Sequence, residues 1–181
     1  MKPLLVVLNG PIGSGKTTVS VAVAGLVERS GRRSATIDID EVWAMVEHQR
    51  PRKGGPPAWT LSRRGVAALA DEFFRDGVDV VIVNGPFYEP DERSQLIQRM
   101  ATAAEVRYVT LTVPFEEALR RTNADPDPRR DTSRQRDWLL KHHDRVAPLL
   151  EPLRDSDLIV DTGGRTLDQV ARRIAAALPL G

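Results

Sequence analysis

The stretch Leu4-Leu5-Val6-Val7-Leu8-Asn9-Gly10-Pro11-Ile12-Gly13-Ser14-Gly15-Lys16-Thr17 decides the fold. Its opening run Leu4 to Leu8 is apolar, far too short for a membrane span, and reads as a buried strand. The run Gly10 to Thr17 matches G-x-x-x-x-G-K-[ST] and opens a helical pattern from Gly15 to Ser30. The glycines let successive backbone N–H groups turn toward one anion, and the helix that follows adds its positive N-terminal end. Gly10, Gly13, Ser14, Gly15, Lys16, Thr17 and Thr18 are therefore expected to cradle the phosphates of a nucleoside triphosphate. Lys16 would reach the β- and γ-phosphates as a point charge, and the Thr17 hydroxyl would ligate Mg²⁺.

Outward from this loop, short β-branched runs alternate with longer helical patterns, the signature of a parallel sheet covered on both faces. Five strands are expected, at Leu4 to Leu8, Ser34 to Ile39, Val78 to Val83, Val106 to Val113 and Leu158 to Val160. Helices are expected at Gly15 to Ser30, Asp40 to His48, Leu61 to Asp76, Asp91 to Ala103, Phe115 to Asn123, Ser133 to Leu150 and Thr166 to Ala177. At 181 residues the chain is the size of one α/β domain. Two segments break the rhythm: Gln49 to Trp59, rich in Pro, Gly and Arg, and Ala124 to Thr132, rich in Pro, Asp and Arg. Such insertions in a compact α/β unit serve as lids or substrate loops, or as plain surface loops.

Lys plus Arg total 26 against 25 Asp plus Glu, a net charge of +1, so no global field favours nucleic acid or an anionic membrane. The absence of cysteine excludes disulfides, thiol nucleophiles and thiolate zinc sites, and makes the cytoplasm the expected compartment.

The second constellation is Asp38-Ile39-Asp40 at the end of the second expected strand. Alternation along a strand would send both carboxylates to one face and Ile37 and Ile39 to the other. In parallel sheets the carboxyl ends of the strands carry the ligands, so these acids would stand beside the phosphate loop. Phosphoryl transfer to a hydroxyl uses one carboxylate to hold Mg²⁺ and one to accept the hydroxyl proton. Asp40 is equally suited to cap the helix that follows.

The loop Gly10 to Thr17, Asp38-x-Asp40 on the next strand, and Arg120-Arg121-Thr122 leading into an arginine-containing loop resemble the shikimate kinase and gluconate kinase group, which includes chloramphenicol phosphotransferase. The resemblance covers the nucleotide-binding half and the lid. It implies a nucleoside-monophosphate-kinase-like fold: a three-layer α/β P-loop NTPase fold with a five-stranded parallel sheet in order 2-3-1-4-5 and a short lid over about 120–136. It also implies transfer of the ATP γ-phosphate to a small-molecule hydroxyl, with ATP and Mg²⁺ as cofactors. On that likeness Asp38 would hold the Mg²⁺ water shell, Asp40 would act as base, and Arg121 would stack on adenine. Arg129 or Arg130 would close over the phosphoryl group, and Thr162-Gly163-Gly164-Arg165 would complete the adenine pocket. Asn84-Gly85-Pro86-Phe87-Tyr88 departs from the group, lacking an acidic residue, the triple glycine of shikimate kinases and the Asp-Gly-Phe-Pro-Arg run of adenylate kinases.

The acceptor region is expected within about 41–90. Trp43, Trp59, Phe87 and Tyr88 would form an aromatic wall, Asn84 would lie in the adjoining turn, and Arg50, Arg52, Lys53, Arg63 and Arg64 would bind a carboxylate or phosphate on the acceptor or stand solvated. Individually, each aromatic also fits an ordinary core position. His48 and His142-His143 receive no ligand role. Three classes follow: a metabolite or antibiotic kinase, with the resistance type favoured; a nucleoside, nucleotide or polynucleotide kinase; and a nucleotide-switched module. The expected partners are ATP and a small hydroxylated acceptor, without nucleic acid or membrane, in a monomer or homodimer.

Overall fold

A computed structural model describes residues 2–47, 57–124 and 135–180. Strands β1 (Leu4–Asn9), β2 (Ser34–Asp38), β3 (Val80–Asn84), β4 (Glu105–Thr112) and β5 (Leu158–Asp161) form one parallel sheet in the order β2-β3-β1-β4-β5. This is the expected strand order.

Every residue of β1 is buried. Strand alternation then divides its side chains between two cores. Leu4, Val6 and Leu8 pack with Val19, Val23 and Val27 of α1 (Lys16–Arg29) and with Val170 and Ile174 of α7 (Leu167–Ala177). Leu5 and Val7 face the opposite core, with Val66, Ala70 and Phe74 of α3 (Ala58–Arg75). Each such side chain contributes roughly 1.5–3 kcal/mol on burial, so the central strand anchors both helical layers.

The sheet register sets the site. Asp38 pairs with Asn84, Asn84 with Leu8, and Asn9 with Thr110, so the carboxyl ends of four strands finish together. Above that edge lie α2 (Ile39–Glu47), α4 (Pro90–Ile97), α5 (Phe115–Ala124) and α6 (Gln135–Leu150).

Among the boundaries that differ from expectation, three bear on the site or its supports. Ile39 is not the end of a strand but the first residue of α2. Asp38 Oδ1 accepts the backbone N–H of Asp40 at 2.9 Å, so Asp38 caps that helix and Asp40 does not. Helix α3 begins at Ala58 rather than Leu61, directly after Pro57. Trp59 thereby leaves the expected loop and stacks on Trp43, with ring centroids 5.4 Å apart and planes 19° apart. Helix α4 ends at Ile97 rather than Ala103, because the Asp71 carboxylate takes the N–H groups of Ala101 and Thr102 at 2.7 and 2.9 Å. Burial alone would raise the Asp71 carboxyl, but these donors outweigh it and hold its pKa below the ordinary value.

Candidate functional site: a phosphate loop between two clefts

The loop from Gly10 to Thr17 joins β1 to α1. Gly13 and Gly15 sit at φ 80° and 89°, the left-handed region that favours glycine. A Cβ at Gly13 would also stand 2.8 Å from the Cβ of Ala118 in α5, so the loop is pressed onto that helix. Lys16 Nζ donates to the carbonyls of Gly10 and Pro11 at 2.9 and 3.2 Å, folding the ammonium back over the loop. Ser14 is fully buried, and its hydroxyl oxygen has no hydrogen-bond partner among the described residues.

Side chains from distant elements fix the loop. Tyr88 Oη donates to the Gly10 carbonyl at 2.7 Å, and burial pushes the phenol above its ordinary pKa. Asn9 and Phe87 exchange hydrogen bonds at 3.2 and 3.3 Å, holding the turn after β3 against the end of β1. The Ile12 N–H approaches His142 Nε2 at 3.3 Å, while His143 Nε2 lies 2.9 Å from the Ile12 carbonyl. Arg121 reaches the loop from its other side. Its Nη1 donates to the Gly13 carbonyl at 3.3 Å and to Thr162 Oγ1 at 3.0 Å, its Nη2 to the Thr162 carbonyl at 2.8 Å, and its Nε to Glu117 at 2.9 Å.

Thr17 and Asp38 meet beside the loop. Thr17 Oγ1 donates to Asp38 Oδ2 at 2.9 Å, two hard oxygen groups beside the phosphate loop. That donor chemistry suits Mg²⁺, which takes few protein ligands and completes its shell with water and phosphate oxygens. Among the described residues, no three His, Cys, Asp or Glu side chains form a group suited to a metal.

Two clefts flank the loop. The first, about 360 Å³, is lined by Lys16, Asp40, Trp59, Arg63, Tyr88 and Trp138, among others. The second, about 300 Å³, is lined by Ser14, Gly15, Thr18, Arg120, Arg121 and Arg165, among others. Thr18 and Arg165 line this second cleft together with Arg121. Asp40, Trp59, Arg63 and Tyr88 share the other cleft with Lys16.

Other expected acceptor residues lie elsewhere. Asn84 is buried beneath the site, 3.4 Å from Ser20 Oγ, and Phe87 is fully buried in the core. Trp43 backs Trp59 rather than lining the cleft. Arg63 is buried and bonded within the protein, to Glu92, to the Pro86 carbonyl at 3.4 Å and to Gln95 at 3.3 Å. Burial depresses its pKa, with Glu92 opposing that shift. Arg50, Arg52, Lys53, Arg129 and Arg130 lie outside the described residues.

The sequence reading assigned no role to the helix that completes the first cleft. Trp138, His142, Arg145, Val146 and Leu149 of α6 all line it. Their spacing is the one-face periodicity of a helix, and Trp138 stacks on His142 with centroids 6.2 Å apart. That period was the available signal; the adjacency of the two histidines obscured it.

No curated protein matches the chain. Solved structures do resemble it. A sugar kinase from Janibacter sp. HTCC2649 superposes with a TM-score of 0.66 at 20% identity, covering 100% of this chain and 96% of that one. The tunicamycin resistance protein of Deinococcus radiodurans gives 0.63 at 22% identity, with 100% and 98% covered. The shikimate kinase of Acinetobacter baumannii, solved with shikimate, gives 0.59 at 21% identity, with 96% and 91% covered. The fold is that of the small-molecule P-loop kinases, as the sequence resemblance implies. Residues 5–148 match the AAA domain family AAA_33, and the chain belongs to that family.

Proposed function

We propose that this protein transfers the γ-phosphoryl group of ATP to a hydroxyl of a small molecule, a natural product of the kind that resistance kinases modify. The observation that carries the reading is the meeting of Lys16 and Asp40 in one cleft with Trp59 and Tyr88, on the opposite side of the phosphate loop from Thr18, Arg121 and Arg165. A nucleotide in the second cleft would extend its phosphates over Gly13 to Thr17 toward the first. An acceptor there would place its hydroxyl between Asp40 and the terminal phosphate.

In this reading Lys16 leaves the carbonyls of Gly10 and Pro11 for the β- and γ-phosphates, and the loop N–H groups hold the same oxygens. Thr17 and Asp38 would hold Mg²⁺, which would supply charge that offsets the phosphates. Asp40 accepts the acceptor's hydroxyl proton as the new oxygen–phosphorus bond forms. The bond from the γ-phosphorus to the bridging oxygen breaks, and its electron pair leaves with ADP. Arg129 or Arg130 would close over the transferring group and exclude water, by the family resemblance.

The test is mass spectrometry of purified protein with Mg²⁺-ATP and pooled acceptors: hydroxyl-bearing antibiotics, shikimate, gluconate, nucleosides and their monophosphates. A phosphate-sized mass gain that disappears with Asp40→Asn is the expected result. Undiminished transfer by Asp40→Asn would remove Asp40 as base. Failure of every pool, with ATP binding shown separately, would favour a nucleotide-switched module.

A further inference from the structure

Resting on that kinase reading, we infer that the acceptor cleft takes an uncharged, ring-bearing molecule, and that Glu92 sets this preference by neutralising Arg63 from within the protein.

Among the described residues, Lys16, Arg63 and Arg145 are the cations that line this cleft, and Arg63 is the one beside Trp59. Its side chain is only 7% exposed, and Glu92, whose side chain is 19% exposed, binds it directly. Gln95 and the Pro86 carbonyl take further guanidinium hydrogens. Both terminal nitrogens are thus engaged within the protein, and Nε, which has no partner among the described residues, has essentially no exposed surface for a ligand to reach. A carboxylate or phosphate on the acceptor would therefore have to displace Glu92 from a buried pair, leaving that carboxylate uncompensated.

Glu92 is itself held in place. Its Oε2 accepts the N–H groups of Tyr88 and Glu89 at 2.8 and 3.1 Å, closing the capping box at the start of α4. The same side chain thus ties the turn after β3 and the Arg63 charge together. The remaining charges in the cleft are arranged to the same effect. Among the described residues, Lys16 belongs to the phosphate loop, and the exposed Arg145 shares the cleft with Asp40, which carries the opposite formal charge.

The walls favour a ring. Trp59 is fixed by Trp43 on one side, and the Arg63 guanidinium carbon lies 6.0 Å from its ring centroid. Trp138 is paired with His142. Both tryptophans line the cleft together with apolar Val146 and Leu149. Aromatic faces carry a negative quadrupole, so they stack on neutral ring faces and disfavour anions.

A matched pair of probes tests this without turnover. 4-Nitrophenyl β-D-glucoside and 4-nitrophenyl β-D-glucuronide differ in one group, a hydroxymethyl against a carboxylate. Their binding to the full chain, loaded with Mg²⁺ and a non-hydrolysable ATP analogue, is measured by calorimetry. The wild type is expected to bind the glucoside at least about tenfold more tightly than the glucuronide. Glu92→Gln keeps the capping acceptor but removes the charge, and is expected to erase or reverse that preference. Replacing both Arg63 and Glu92 with Met is expected to retain it. Equal or tighter glucuronide binding by the wild type would overturn the inference. So would an unchanged preference in folded Glu92→Gln, or no millimolar binding of either probe. If Glu92→Gln does not fold, the wild-type comparison decides alone. The kinase reading stands or falls separately, on phosphate transfer in the mass-spectrometric test.

Discussion

His143 Nε2 lies 2.9 Å from the carbonyl oxygen of Ile12, a contact across 131 positions of sequence that ties α6 to the phosphate loop. The ring also meets Phe115 edge-on, with centroids 5.6 Å apart, so its direction is fixed by packing as well. The acceptor cleft and the nucleotide loop therefore share a support. His143→Ala is expected to raise the KM for ATP roughly fivefold through loss of about 1 kcal/mol of hydrogen bonding. His143→Gln, which can still donate to Ile12, is expected to recover part of that loss. Steady-state kinetics with ATP varied checks both.

Asp38 has two separable jobs. One oxygen accepts from Thr17 and the other from the Asp40 N–H. Asn caps a helix about as well as Asp but brings no charge to a divalent cation. Asp38→Asn is expected to melt close to the wild type while needing much more Mg²⁺ for ATP binding. Asp38→Ala is expected to lose about 1 kcal/mol in addition, a fall of roughly 2–4 °C in Tm. Thermal melts and Mg²⁺ titrations separate the two.

Tyr88 lines the acceptor cleft, yet its hydroxyl is engaged by the Gly10 carbonyl. Tyr88→Phe keeps the ring and removes only the donor. The expected cost is about 0.5–1.5 kcal/mol of stability. A spectroscopic titration should find this phenol ionising above the ordinary tyrosine range, because burial penalises the phenolate.

The Arg121 brace has a pH signature. Hydrogen bonding by Arg120 holds the Glu117 carboxyl down to about 2 from its usual 4.5, with Arg121 adding to the shift against an opposing desolvation. A carboxyl lowered by folding stabilises the fold fully above its unfolded pKa and loses that contribution as pH falls through the folded one. The brace should thus weaken between about pH 4.5 and pH 2. Glu117→Gln should flatten that part of the stability profile, as melting curves across the window would show.

Gly85 packs its Cα hydrogens against Ile39, and a Cβ there would overlap the Ile39 side chain. Ile39 is the first residue of α2 and stands between the two acids. Gly85→Ala is expected to cost about 1–3 kcal/mol through overpacking and to reduce transfer more than ATP binding. Comparison of Tm, ATP affinity and kcat tests the distinction.

Much of this architecture is legible in the chain because its signals are local. The apolar run before Gly10, the glycine spacing and the alternating strand and helix periods each concern residues close in sequence. Placement of Asp38 beside the loop is also legible, since the carboxyl ends of all strands in a parallel sheet lie along one edge, even though β3 separates β1 from β2. Trp59 was harder: Pro57 suggested a loop, whereas stacking on Trp43 gives the tryptophan a place in the helix. Arg63 was legible as a cation but not as a paired one, because its partner lies 29 positions away on another helix. The contacts of His142 and His143 with the loop are hidden for a like reason, since the Ile12 groups they meet are backbone, which has no residue type to read.

The Asp38 carboxylate bears on how such a protein can change. It caps the helix that carries Asp40 and also touches Thr17, so nucleotide-side and acceptor-side machinery meet in one side chain. Relatives could not exchange α2 as a self-contained cassette to acquire a new acceptor. The graft would have to bring the end of β2 with it, and the seam would fall inside the sheet. On the proposed function, divergence in acceptor choice has freer ground on α3, α4 and α6, whose side chains line the same cleft without capping the helix that carries Asp40.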